Sequence, residues 1–113
     1  MRMWMINPKY LCNKHLNGEH GEIHKHRHVF VKKQSIKGRI FPKVLIEPIA
    51  MELRHNELAK EMTKRGMQHN SPYTMPDISY LKPIYRYAKV DLEISYIDLA
   101  ERCEECKKRL EQD

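Results

Sequence analysis

The sequence contains no apolar run approaching the ~20 residues that a membrane-crossing helix needs. Its opening, Met1-Arg2-Met3-Trp4-Met5-Ile6, runs directly into Asn7-Pro8-Lys9, without the apolar segment and cleavage site of a secretory signal. Both absences predict a cytoplasmic protein with no membrane partner. Strand-like alternation, internal repeats and low-complexity tracts are also missing, so the periodicity that remains is helical. The cysteines, Cys12, Cys103 and Cys106, are odd in number and are not spaced as the disulfide framework of a small secreted fold. Acids are absent where bases are dense: Lys25, Arg27, Lys32, Lys33, Lys37, Arg39 and Lys43 follow one another with no Asp or Glu between them.

What is present describes one folded domain. A chain of 113 residues can build a single modest core, and 41% hydrophobic with 32% charged residues is a globular composition. Lys and Arg outnumber Asp and Glu by 21 to 15, giving a net charge of +6 and a pI near 9.3. With seven of the bases clustered between positions 25 and 43, an anionic partner such as nucleic acid is favoured over a merely basic surface.

The expected fold is all-α, a compact single domain of about three main helices with a long irregular loop before the last. Asn7-Pro8 reads as an N-cap followed by proline at the first helical position, where a first helical turn or two should begin, and the helix is expected to run to about residue 33. Gly18 and Gly21 weaken it by ~1 kcal/mol each relative to alanine, a cost that marks either close approach by a ligand or a looser helix. Residues 35–44 form a basic connector. A second helix opens at Glu47-Pro48, buries Met51, His55, Leu58 and Met62, and stops at Gly66 after Lys64 and Arg65. Residues 67–89, rich in proline and tyrosine, form the long loop, whose Tyr73, Tyr80, Tyr85 and Tyr87 could stack on bases or tack the loop to the helices. The last helix is expected from residue 90 to about 110.

Chemistry concentrates in His15-Leu-Asn-Gly-Glu-His-Gly-Glu-Ile-His-Lys-His26. On a helix, His15, Glu19, Glu22 and His26 share one face, backed by an apolar strip of Leu16, His20, Ile23 and Phe30. His20 and His24, at i and i+4, could hold one metal as in a hydrolase. Cys12-x-x-His15 and Cys103-x-x-Cys106 could together supply four zinc ligands and staple a non-catalytic nucleic-acid-binding module. Against that, Leu92, Tyr96, Leu99, Cys103, Cys106 and Leu110 form a helical stripe on which the two cysteines would be small core residues. His55 reads as a core histidine or as a partner of a site residue.

These residues also carry a resemblance. Met1-Arg2 followed by His15-Leu16-x-x-Glu19-x-x-Glu22 resembles the phage-type pyrimidine-dimer DNA glycosylase family, the dimer-specific endonuclease V. The short viral and bacterial members are closest, sharing Leu16-x-Gly18-Glu19-His20-x-Glu22-Ile23-His24, Arg54-His55-x-x-Leu58-x-x-Glu61-Met62-x-x-Arg65-Gly66-x-x-His69-x-Ser71-Pro72 and Arg102-Cys103-x-x-Cys106.

The resemblance implies a glycosylase and abasic-site lyase of a bacterial or virus-infected cell, acting as a monomer on damaged double-stranded DNA without a cofactor. Its catalytic pair carries over to the α-amine of Met1 and the carboxylate of Glu22. Arg2, His15, Glu19, His20, His24 and His55 would support the site, and Arg54, Arg65 and His69 would join the basic run in holding DNA. An α-amine suits this work because its ordinary pKa of about 7.7–8.0 leaves part of it neutral near pH 7, ready to form an imine. A nearby carboxylate stabilises positive charge on the sugar and moves protons. Three departures bear on the nucleophile and the substrate. The characterised enzymes begin, after processing, with a small residue, whereas the large Arg2 should keep Met1 in place. Gly21 stands where they carry an arginine, and their aromatic-rich C-terminus is not recognisable here.

Overall fold

In the computed structural model, which describes residues 1–68 and 71–112, every regular element is helical and no strand occurs among the described residues. The longest helix, α1 (Asn13–Val31), begins on Cys12, whose extended backbone (φ −68°, ψ 164°) and side chain cap the first turn. The helix therefore starts later than the Asn7-Pro8 signal suggests. That signal makes only a 3-10 turn, Pro8–Tyr10, in which the Asn7 side chain accepts the Lys9 amide.

Gly18 and Gly21 do not break α1, and a Cβ at either would meet nothing within 4 Å. Leu16, Ile23 and Phe30 are buried along one face. At ~1.5–3 kcal/mol for each large apolar side chain removed from water, that burial outweighs the cost of two glycines. The helix ends at Val31 with Lys32 as its C-cap, two residues short of the expected end, and Lys33 just beyond adopts a left-handed φ of 55°.

The connector contains one short helix, α2 (Lys37–Ile40). A 3-10 turn, Pro48–Ala50, then leads into α3 (Met51–Lys64), which packs against α1. Met51, His55, Leu58 and Met62 are buried as the periodicity predicts, and Gly66 takes the positive φ of 79° expected just past the end. The long loop is interrupted by α4 (Pro83–Arg86).

The final helix is not continuous. It divides at Cys103 (φ −138°, ψ 114°) into α5 (Leu92–Arg102) and α6 (Glu104–Leu110). The expected single stripe is consequently wrong: Leu99 and Cys106 are buried, whereas Leu92 and Tyr96 are exposed, and Ser95 turns inward instead. The radius of gyration, 14.1 Å, is close to the ~13 Å expected of one compact domain of this length. No helix among the described residues is long and apolar enough to cross a membrane.

Candidate active site

The first four residues are held by the chain at three consecutive positions. The Arg2 amide donates to Glu22 Oε2 at 3.2 Å, the Met3 amide donates to the Leu45 carbonyl at 2.7 Å, and Ser95 Oγ donates to the Trp4 carbonyl at 2.6 Å. Met3, Trp4 and Ile6 are buried beneath them. An amino terminus that would ordinarily fray is thus anchored by α1, the connector and α5, and Met1 is left at the rim of a cavity.

That cavity, about 600 Å³, is lined by Met1, Arg2, Trp4, Lys14, His15, Gly18, Glu19, Glu22, Lys43, Leu45 and Arg102. A second hollow of about 300 Å³ has Met1 and Glu22 on its wall together with Lys25, His26 and His28. Met1 and Glu22 therefore share both spaces, and the helix face His15, Glu19, Glu22, His26 borders them as its spacing predicts. Gly18 opens onto the larger space, where a side chain would take up room.

Charge is arranged around the same rim. Arg2 lies over the Trp4 ring at 4.2 Å and donates to Asp98 Oδ2 at 2.7 Å, while Lys43 donates to the same oxygen at 2.8 Å. The hydrogen bonds from Lys43 and Arg2 hold Asp98 down near a pKa of about 2, so it fixes both cations as a permanent carboxylate. The Nε of Arg2 is buried without a hydrogen-bond partner. Burial, then the positive charges at the amino terminus, Arg39 and His28, lower His26 to about 4. Trp4, Lys14, Asp98 and Arg102 belong to the site although only Arg102 lies in a recognisable motif.

Several expected site residues are bound to other partners or lie away from the cavity. Glu19 and Arg54 are 2% and 1% exposed and form a forked pair, with Nε to Oε2 at 2.6 Å and Nη2 to Oε1 at 3.0 Å. The remaining Arg54 nitrogen donates to the Ile6 carbonyl at 2.7 Å. A guanidinium buried and bonded on every side cannot meet DNA, so Arg54 is reassigned as the tie between α1, α3 and the N-terminal segment. Arg65 is similarly occupied, donating to Glu61, Asn13 and the Pro8 and Lys9 carbonyls. His69 lies outside the described residues.

His20, His24 and His55 do not border the Met1 cavity. They gather on the α1–α3 interface, with ring centroids 4.6–4.8 Å apart and Tyr73 stacked on His55 at 5.4 Å. His55 supplies the third imidazole that the His20–His24 spacing lacks, and the three could hold a metal by donor type. A hydrolytic metal, however, needs an open coordination position, and His20 and His55 are 8% and 1% exposed. His55 bonds Asn56 Oδ1 through Nδ1 and His24 through Nε2, as a hydrogen-bonded core cluster does.

The basic run divides. Lys25 and Lys43 border the two spaces beside Met1. Lys32, Lys37 and Arg39 are exposed; Lys33 sits over the Tyr80 ring at 5.8 Å, and Arg27 donates to the Thr74 carbonyl at 2.9 Å. Of the loop tyrosines, Tyr73, Tyr80 and Tyr85 tack the loop down, and Tyr87 remains 52% exposed.

A second group of possible metal ligands shares His15 with the cavity wall. Cys12, His15, Cys103 and Cys106 bring their ligand atoms within 4.8 Å of one another. Burial raises the Cys106 thiol to about 12. Burial, followed by Lys14 and Arg102, lowers His15, which is therefore neutral at pH 7.

A small all-helical domain thus carries an anchored amino terminus, a carboxylate on the walls of the same spaces, and a cationic rim. The family model for pyrimidine dimer DNA glycosylases matches residues 1–75, and the chain belongs to that family. Membership makes it a DNA-repair glycosylase by class, with DNA as its partner. Neither a curated protein nor a solved structure matches the chain.

Proposed function

We propose that the protein is a DNA glycosylase with abasic-site lyase activity, using the α-amine of Met1 as nucleophile and Glu22 as proton shuttle. The observation that carries this reading is the 3.2 Å bond from the Arg2 amide to Glu22 Oε2. It sets the carboxylate one residue from the amine, at the edge of a cavity both share.

In the proposed reaction the amine nitrogen attacks sugar C1′ of a damaged nucleotide. The glycosidic bond breaks, and the base leaves with the bonding electrons and a proton. Opening of the sugar ring at C1′–O4′ leaves an imine between Met1 and C1′. Glu22 then takes a proton from C2′, the 3′-phosphate departs, and water hydrolyses the imine to free Met1. Arg2, Lys43, Lys14 and Arg102 hold the flanking phosphates. Reaching C1′ requires a kinked duplex with the lesion displaced, which a damaged pair resists least. The lesion is a pyrimidine dimer or another modified pyrimidine.

Borohydride reduction in the presence of ultraviolet-damaged or abasic DNA tests this directly. A covalent adduct on the Met1 peptide is expected, and acetylation of the amine should abolish it. No adduct, or one that survives the blocked terminus, refutes the reading. Intact-mass measurement establishes beforehand that Met1 is retained and free. The convergence of Cys12, His15, Cys103 and Cys106 favours a second reading, a non-catalytic zinc-stapled nucleic-acid module. That reading leaves the anchored amine and its carboxylate unexplained, and DNA binding without trapping would favour it.

A further inference from the structure

Four chemically soft side chains from the two ends of the chain converge on one point. Cys12 Sγ lies 3.8 Å from Cys103 Sγ and 3.2 Å from His15 Nδ1, and Cys106 Sγ lies 3.7 Å from the same His15 nitrogen. A tetrahedral zinc with Zn–S of ~2.3 Å and Zn–N of ~2.0–2.1 Å requires sulfur–sulfur edges of ~3.8 Å and sulfur–nitrogen edges of ~3.5 Å. The edges observed match that cage to within a few tenths of an ångström.

The backbone is arranged for anionic sulfur. Each thiol accepts one amide: His15 N–H to Cys12 Sγ at 3.4 Å, Cys12 N–H to Cys106 Sγ at 3.2 Å, and Cys106 N–H to Cys103 Sγ at 3.5 Å. Such bonds are the outer shell that metal thiolates use. Cys12 and Cys103 each cap a helix whose third residue supplies the next ligand, so the same local turn is used twice. Cysteine is a poor cap by preference beside Ser, Thr, Asp or Asn, and its use at both places needs a reason other than helix initiation. A small core residue has no need to aim its sulfur at an imidazole nitrogen.

We propose that Cys12, His15, Cys103 and Cys106 bind one structural zinc ion that clamps α6 and the end of α5 to the start of α1. Three thiolates, one neutral imidazole and Zn²⁺ leave a net charge of −1, next to Lys14 and Arg102 on the cavity rim. With Nδ1 on the metal, the His15 proton resides on Nε2, and its ring borders the cavity as a fixed hydrogen-bond donor. The clamp thus fixes His15 in the wall of the cavity that Met1 also lines and does not take part in the reaction. Cys12 and His15 lie within the residues 1–75 that the family model matches, and Cys103 and Cys106 lie beyond them, so the site joins the matched segment to the C-terminal one.

Elemental analysis of the full chain, purified under reducing conditions without chelator, should give about one zinc per chain. Cobalt exchange should produce the sulfur-to-cobalt charge transfer and visible bands of a tetrahedral site. The three thiols should resist a thiol reagent until a strong chelator removes the metal, with a matching loss of thermal stability. His15→Ala should weaken zinc binding by more than the 10–100-fold typical of outer-shell changes, and Cys103→Ser should behave alike. If these variants fail to fold, the chelator and cobalt measurements on the unaltered chain still decide. Metal-free protein whose melting and thiol reactivity ignore added zinc overturns the proposal, as does a Cys12–Cys103 disulfide found by non-reducing mass spectrometry. Borohydride trapping on the metal-loaded protein is read separately, so failure of the amine chemistry and failure of the zinc site remain distinguishable.

Discussion

Glu22 is the residue on which the proposed chemistry turns, and its exposure makes it testable. It is solvent-exposed and bonded only to the Arg2 amide among the described contacts, so Glu22→Gln keeps a hydrogen-bond acceptor in place. Strand cleavage should fall by ~10²–10⁴, the ordinary worth of a positioned acid–base group, while the melting temperature stays within a degree or two. Equal loss of stability would assign Glu22 to folding. His26 makes a different prediction. Its folded pKa of about 4 lies below the ordinary 6.5, so the unfolded chain binds the proton more readily. Stability tied to His26 is fully present above pH 6.5 and is lost as the pH falls towards 4. Thermal melts across that range should show the decline, and His26→Gln should flatten it.

At the scale of elements, the Glu19–Arg54 pair joins α1 to α3 and, through the Ile6 carbonyl, to the segment that carries Met1. Removing one member strands a buried charge, so Arg54→Ala should cost ~3–5 kcal/mol in urea unfolding. Glu19→Leu combined with Arg54→Met should recover most of that loss, because no charge is then left unpaired. The pair was not legible as such: both residues have the right spacing for a surface face, and only the packing of α3 on α1 turns Glu19 inward. By contrast α3 itself was plain, since a four-three-four apolar stripe and a glycine with positive φ are local features. The division of the last helix at Cys103 was not plain, because every residue around it suits a continuous helix.

For the whole molecule the net charge of +6 matters through where it collects. Lys25 and Lys43 flank the Met1 spaces, whereas Lys60 lies beside Glu57 and Glu61 in a separate hollow. Each phosphate contact on duplex DNA contributes about −0.9 to the slope of log K against log salt. Lys25→Gln and Lys43→Gln should each make that slope shallower by up to this amount, measured by fluorescence anisotropy, and Lys60→Gln should leave it unchanged. Equal effects from all three would mean that binding follows total charge and not this face.

The sequence by itself determined the helical class, the basic character and the family, because periodicity, composition and short motifs are properties of neighbours along the chain. Tertiary structure decided which chemically able residues meet. It drew His20, His24 and His55 into a core away from Met1, buried Arg54, tied Arg65 to the Pro8 and Lys9 carbonyls, brought Arg102 from α5 to the cavity rim, and set Asp98 on Arg2 and Lys43. It also carried Cys103 and Cys106 to within reach of Cys12 and His15 across some ninety positions. Such meetings depend on how whole helices cross and where one of them breaks, and the burial that drives that packing acts on area without regard to order along the chain.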